Sequence, residues 1–65
     1  MLDTGKIKAL REKRGMTQAE AATAVGFKTL QAWSSIERGE QPNLGLQTLE
    51  RVAKALGVKA KDLLK

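Results

Sequence analysis

Side chains that commonly carry out chemistry are scarce in this chain of 65 residues. It contains no His, Cys or Tyr, so the commonest general base, the thiolate nucleophile and the usual zinc ligands are missing. Helix caps and surface ion pairs account for the 7 carboxylates, and the glycines are spread singly rather than gathered in a phosphate-binding loop. We therefore expect no enzyme, no metal, no cofactor and no small-molecule substrate.

Positive charge is concentrated near the two ends of the sequence. There are 12 Lys or Arg against 7 Asp or Glu, a net charge of +5, and residues 15–41 are close to neutral. Such an excess favours a polyanionic partner, although many small domains carry it only as a solvated surface. A membrane partner is disfavoured because the cations are divided between two segments and no predicted helix has a bulky apolar face.

Helices must position any functional side chain, because the chain is rich in alanine and poor in β-branched and aromatic residues. Gly15, Gly26, Gly39 and Gly57 each follow an apolar-periodic stretch, where a left-handed C-cap is expected. With no repeat or linker, residues 1–65 are predicted to form a single all-α domain. The predicted helices span about residues 3–14, 18–25, 29–38, 46–56 and 60–64.

Local signals mark several of these helix ends. Thr17-Gln18-Ala19-Glu20 has the form of a capping box, which places the start of the second helix at Gln18. A turn at Pro42-Asn43 precedes the fourth helix, whose N-cap would be Gly45. Lys59 is an unfavourable N-cap for the fifth helix.

The stretch from Gln18 to Ile36 has the spacing of two helices that cross steeply. Ala22 is small where the helices would cross, and Gly26 permits a sharp turn between them. Trp33 and Ile36, three residues apart, would anchor the third helix to the core. The opposite face of that helix is polar.

Several short motifs occur in an order typical of one family. They are IKALREKRGMTQAE at 7–20, IERGE at 36–40, VAKALGV at 52–58 and DLL at 62–64. In these motifs the chain resembles the lambda-repressor-like family, the Cro and phage-repressor, xenobiotic-response-element type of helix-turn-helix domain. The resemblance covers nearly everything from Ile7 to Leu64.

The resemblance implies a compact five-helix bundle in which helices 2 and 3 form the helix-turn-helix. It further implies sequence-specific binding of double-stranded DNA by a repressor-like transcriptional regulator, with the third helix, about 29–38, in the major groove. A homodimer and a cytoplasmic location of prokaryotic or phage type are also expected.

Base-reading and phosphate-binding side chains are implied on helices 2 and 3. Gln31 would read a base, since a carboxamide can pair with adenine N6 and N7, whereas Ser34 and Ser35 would discriminate less. Gln18 would touch a phosphate, helped by the backbone N–H groups at the helix start. The remaining candidates are phosphate contacts from Lys28, Thr29 and Arg38 and a thymine-methyl contact from Leu30. For all of them the alternative is an ordinary solvated helix face.

Two further sets of residues have expected roles outside base reading. The family commonly pairs an arginine of the first helix with the glutamate ending the third, which implies a structural ion pair between Arg11 and Glu37. Val58, Leu63 and Leu64 are candidates either for the dimer contact or for closing the monomer core.

The sequence departs from the family pattern at a few places. One residue more than usual lies between Gly26 and Ile36, extra residues lie between Pro42 and Leu46, and Ala21 stands where a larger Leu is common. If the family's base-facing positions are counted forward from Gly26, Lys28 and Thr29 lie closer to the bases. If they are counted back from Ile36, Gln31 and Ser35 take those positions. We adopt the backward count because Trp33 and Ile36 must share a buried face.

A protein-interaction module on the same fold, such as an antitoxin or adaptor, is the alternative function. The near-neutral charge of residues 28–41 favours it. The salt dependence of binding distinguishes DNA binding from protein interaction, because binding through several phosphates weakens steeply with added salt.

Overall fold

The computed structural model describes residues 2–40 and 44–65. These residues form helices α1 (Thr4–Lys13), α2 (Gln18–Val25), α3 (Leu30–Glu37) and α4 (Leu46–Leu56), followed by a 3-10 turn (Ala60–Leu63). The predicted all-helical class is confirmed, and the predicted starts of α2 and α4 are those observed. The turn expected at Pro42-Asn43 lies outside the described residues.

The predicted fifth α-helix, Ala60–Leu64, is wrong, because the chain makes a single 3-10 turn there. The Asp62 carboxylate accepts from the Lys59 backbone N–H at 3.2 Å and closes the turn on itself. Leu64 then takes an extended conformation and pairs with Leu2 in an antiparallel bridge. Only four residues are left for the turn, too few to propagate an α-helix.

Each of the first three helices begins at a side-chain cap. Asp3 Oδ1 accepts from the Lys6 backbone N–H at 3.1 Å at the start of α1. The capping box of α2 is complete: the backbone N–H of Glu20 reaches Thr17 Oγ1 at 3.1 Å, and that of Thr17 reaches Glu20 Oε1 at 2.8 Å. Thr29 Oγ1 accepts from the Ala32 backbone N–H at 3.4 Å, which places the start of α3 at Leu30.

Helix α2 packs on both α3 and α4, and its buried face is built from small residues. Ala21 and Ala22 are both buried there, so the neighbouring helices can approach closely. The largest fully buried side chains come from α1, α3, α4 and the 3-10 turn: Ile7, Trp33, Ile36, Val52 and Leu63. The core is therefore thin and shared by all the elements.

The two ends of the chain are held together. The backbone N–H of Asp3 donates to the carbonyl of Leu63 at 2.8 Å, beside the bridge between Leu2 and Leu64. Leu2 and Leu63 both lie in the core. In residues 2–40 and 44–65, no helix is long and apolar enough to cross a bilayer.

Candidate nucleic-acid interface

Helix α3 buries one face and exposes the other. Trp33 and Ile36 have 0% and 1% of their surface exposed, whereas Leu30 is 42% exposed and Gln31 is exposed. Trp33 and Ile36 thus share one buried face, which is the premise of the backward count. A short turn joins Gly26 to Leu30. That turn leaves Lys28 and Thr29 exposed before the helix begins.

A buried carboxylate at the end of α3 joins three helices. Arg11 Nε of α1 donates to Glu37 Oε2 at 2.6 Å, and Arg11 Nη2 donates to Glu37 Oε1 at 3.3 Å. Gln18 Nε2 of α2 donates to Glu37 Oε1 at 3.2 Å, and Trp33 Nε1 donates to Glu37 Oε2. We call Arg11, Gln18, Trp33 and Glu37 the Glu37 network.

Two more hydrogen bonds extend the Glu37 network. Arg11 Nη1 donates to the carbonyl of Met16 at 2.7 Å, which ties the loop between α1 and α2 to the guanidinium. Ser34 Oγ donates to Gln18 Oε1 at 3.0 Å, which links the start of α2 to the middle of α3. The network therefore ties α3 to α1, to α2 and to the loop between them.

The charges of the Glu37 network stabilise each other in a nearly dry site, where the Arg11 and Glu37 side chains are 10% and 5% exposed. Burial raises the pKa of Glu37, but the hydrogen bonds from Arg11, Trp33 and Gln18 lower it by more, so it lies below the ordinary 4.5. The hydrogen bond to Glu37 raises the pKa of Arg11. Both groups are therefore charged at neutral pH, as the ion pair implied for them requires.

Gln18 makes internal contacts that its expected phosphate role did not include. Its side-chain oxygen and one hydrogen of its amide nitrogen are used by Ser34 and Glu37. The second amide hydrogen and the backbone N–H at the start of α2 remain for a phosphate. The structure thus brings two of the predicted site residues, Gln18 and Ser34, into direct contact.

The other predicted contact residues differ in how freely they can act. Ser34 and Ser35 are half-buried, and the Thr29 hydroxyl already caps α3. Arg38 forms an exposed ion pair with Glu40 at 3.0 Å, and their hydrogen bond raises the pKa of Arg38 and lowers that of Glu40. A phosphate would have to compete with Glu40 for Arg38.

The three residues considered for a dimer contact lie in different environments. Leu63 is 0% exposed and closes the monomer core, so its surface is not available to a second copy. Val58 is half-buried against the core, and Leu64 is 44% exposed. Of the three candidates for the dimer contact, only Leu64 and part of Val58 are accessible to a second copy.

Sequence reasoning missed the hydrogen bonds from Trp33 and Gln18 to Glu37. The four-residue spacing of Trp33 and Glu37 on one helix was an available signal, because such pairs lie on the same face. No local pattern pointed to Gln18, which reaches Glu37 only after α2 packs on α3. The apolar spacing of the fourth helix includes Leu46, but Leu46 is 69% exposed at the start of α4.

A family model described as helix-turn-helix matches residues 7–63. This chain belongs to the helix-turn-helix family. The lambda-repressor-like assignment made from its motifs is therefore confirmed. No curated protein sequence matches the chain.

Solved structures share the fold of this helix-turn-helix domain. SinR, described as the master regulator for biofilm formation and solved in complex with DNA, is 35% identical with a TM-score of 0.85, over 95% of this chain and 97% of that one. Apo-HppE is 31% identical with a TM-score of 0.86, over 95% of this chain and 34% of that one. Hydroxypropylphosphonic acid epoxidase from S. wedmorenis is 31% identical with a TM-score of 0.86, and the match covers 95% of this chain and 32% of that one. The domain thus spans about a third of these epoxidase chains.

Proposed function

We propose that this domain binds double-stranded DNA sequence-specifically and regulates transcription, with α3 in the major groove. The observation that carries the proposal is the two-sided character of α3. Trp33, Ile36 and Glu37 fix one side of the helix, and Gln31 stands exposed on it with a carboxamide that suits adenine. SinR, which matches the domain over nearly its whole length, was solved with DNA.

Binding rather than catalysis is supported by what the carboxylates do. Asp3, Glu20 and Asp62 accept hydrogen bonds from backbone N–H groups at helix starts. Glu37 and Glu40 pair with arginines. These five groups are thus engaged in helix caps and ion pairs. A cytoplasmic location of prokaryotic or phage type is part of the same proposal.

Association as a homodimer on two half-sites about 34–36 Å apart is part of the proposal, because that spacing is one turn of the duplex. The exposed Leu64 and the adjoining part of Val58 are the proposed contact. A single small domain makes few phosphate contacts, and a second copy doubles them.

A protein-interaction module is the second candidate, favoured by the surface along α4. Leu46 is 69% exposed there and lines a shallow groove with Val58 and Ala60. The same fold also makes up about a third of an epoxidase chain, so the fold alone does not determine the partner.

Binding to labelled random-sequence duplex, titrated at low and physiological salt, tests the proposal. Wild-type Kd should rise steeply with salt, and Lys28→Ala should weaken all sequences and reduce the slope of log Kd against log salt by about 1. Gln31→Ala should instead relax the preference among sequences. Lys61→Ala, which removes the same charge from the 3-10 turn, is the matched control and should leave the slope closer to that of the wild type.

No binding at low salt by the folded protein would overturn the DNA proposal. In that case a protein partner bound through the Leu46 groove becomes the leading function. Salt-insensitive capture of such a partner, lost in Leu46→Asp, would support it.

A further inference from the structure

Ser34 is held by Gln18 in a way that limits what its hydroxyl can recognise. Gln18 Nε2 lies 3.2 Å from Glu37 Oε1, and an ionised carboxylate can only accept hydrogen bonds. The amide of Gln18 must therefore present its nitrogen to Glu37 and its oxygen to the other side. That oxygen lies 3.0 Å from Ser34 Oγ.

A serine hydroxyl has one hydrogen to donate and two lone pairs that accept. Because Gln18 Oε1 can only accept, the hydrogen of Ser34 is used in that contact. The half-buried Ser34 then offers only lone pairs to anything that approaches α3. A free serine, by contrast, can turn its hydroxyl to suit a donor or an acceptor.

We infer that Ser34 acts toward DNA only as a hydrogen-bond acceptor. It accepts from the amino group of adenine or cytosine and rejects guanine and thymine. This inference rests on the proposed function. In the major groove the only donors on base edges are adenine N6 and cytosine N4, whereas guanine and thymine present oxygen acceptors at the corresponding place. Phosphate oxygens are also acceptors, so the hydroxyl of Ser34 has no hydrogen left to donate to them.

Gln18 is the positioning residue for this recognition. Because Glu37 can only accept, it fixes which end of the Gln18 amide faces Ser34, and the Gln18 oxygen then accepts the hydrogen of the Ser34 hydroxyl. Thr23, exposed on α2, makes no side-chain hydrogen bond among those of the described residues, and Thr23→Ala serves as the control that removes a hydroxyl elsewhere.

Selection of bound duplexes from a randomised pool, for the wild type, Ser34→Ala, Thr23→Ala and Gln18→Met, tests the inference. One position of the selected site should lose its preference in Ser34→Ala but keep it in Thr23→Ala, and the wild-type base there should be adenine or cytosine. Gln18→Met frees the hydroxyl to donate, so guanine and thymine should become tolerated at that position, with the amino-to-keto ratio of Kd changing about 2- to 10-fold.

A base analogue gives a second measurement that does not depend on the Gln18 variant folding. Purine in place of adenine, or 2-pyrimidinone in place of cytosine, deletes the amino group at that position. The wild type should lose about 2- to 10-fold in affinity for the analogue, and Ser34→Ala should lose nothing further.

Three results would overturn the inference while leaving DNA binding intact. They are a guanine or thymine preference at the Ser34-dependent position, identical selections for the wild type and Ser34→Ala, and an unchanged amino preference in a Gln18→Met protein whose circular dichroism is native. Absence of salt-sensitive binding by the wild type would instead overturn the proposed function, and the inference with it.

Discussion

Glu37 shows how one buried charge can organise a small domain. Its carboxylate accepts hydrogen bonds from Arg11, Gln18 and Trp33, so a single side chain connects α1, α2 and α3. Burying an ion is costly unless it is paired and hydrogen-bonded, and here every partner is in place. The consequence is that removing one partner should cost far more than removing the pair.

Arg11→Met should lower the free energy of unfolding by about 3–5 kcal/mol, because Glu37 is left buried without its counter-ion. Urea denaturation followed by circular dichroism measures the change. The double variant Arg11→Met/Glu37→Met is the control, and it should recover much of the loss. A loss below about 1 kcal/mol in the single variant would contradict a buried role for the pair.

Acid should unfold the domain partly through Glu37. Its pKa is lower in the folded protein than the ordinary 4.5, so ionisation stabilises the fold. This contribution is complete above the unfolded pKa and is lost as the pH falls through the folded pKa. At pH values below about 4.5 we expect the free energy of unfolding to decrease. The decrease should be smaller in Glu37→Gln.

The pH dependence of unfolding in Glu40→Gln provides the comparison for Glu37. The pKa of Glu40 is also lowered, first by the hydrogen bond from Arg38, but this pair is exposed to solvent. Solvent screening makes such pairs weak. If Glu40→Gln flattened the acid transition as much as Glu37→Gln, the buried network would not be the source.

At the scale of elements, helix ends account for most of the agreement between sequence and structure. Caps act over three or four residues, so their signals survive without knowledge of the tertiary fold. The capping box of α2 and the left-handed Gly26 place the two ends of the second helix. Helix α3 is then aligned by what it buries rather than by its cap alone.

Thr17→Ala should lower the free energy of unfolding by about 1 kcal/mol, because the N–H of Glu20 loses its acceptor at the start of α2. Thermal denaturation measures the loss. Thr23→Ala, on the exposed part of the same helix, is the matched control and should leave stability unchanged or slightly raised. Equal losses in both variants would argue against the cap.

Gly57→Ala and Gly5→Ala should change stability in opposite directions. Gly57 ends α4 with φ +73, a left-handed conformation that L side chains rarely adopt, so we expect a loss of about 1–2 kcal/mol. The atom nearest to an added Cβ, Arg14 Nη1 at 2.7 Å, is the end of a flexible side chain and can move aside. Gly5 lies inside α1 with its nearest neighbour at 3.8 Å, so alanine should add about 0.5 kcal/mol. Urea midpoints compare the two, and a stabilising Gly57→Ala would contradict the left-handed cap.

For the whole molecule, closure depends on the two ends of the chain. Leu2 and Leu63 are buried together in the core, and the backbone of Asp3 donates to that of Leu63. The 3-10 turn thus completes a core that the four helices leave open. Its neighbour Leu64 remains exposed and is available to a second copy.

Leu63→Ala should lower the free energy of unfolding by about 2–5 kcal/mol, because it leaves a cavity in the core. Leu64→Ala should leave monomer stability nearly unchanged and instead weaken the proposed homodimer. Sedimentation at several concentrations, alongside urea denaturation, separates the two effects. Dimer dissociation that is identical in Leu64→Ala and the wild type would contradict the proposed contact.

The sequence was sufficient for the helical class, for the capping box of α2 and for the burial of Trp33 and Ile36 on one face of α3. These depend on short-range hydrogen bonds and on the three-residue spacing of Trp33 and Ile36, which any helix turns to one face. The resemblance of its motifs to a known family supplied the pairing of Arg11 with Glu37. It did not indicate that the fifth element is a 3-10 turn.

Only the packed structure decided which polar groups meet across helices. Gln18 and Glu37 are 19 residues apart, and Ser34 and Gln18 are 16 apart, so no local period relates them. Their contact requires α2 and α3 to cross at one angle, and that angle follows from the burial of Ala22, Trp33 and Ile36 in a common core. The hydrogen-bond donors and acceptors that α3 presents are therefore a property of the tertiary fold, because each hydroxyl or amide is oriented by the group packed behind it.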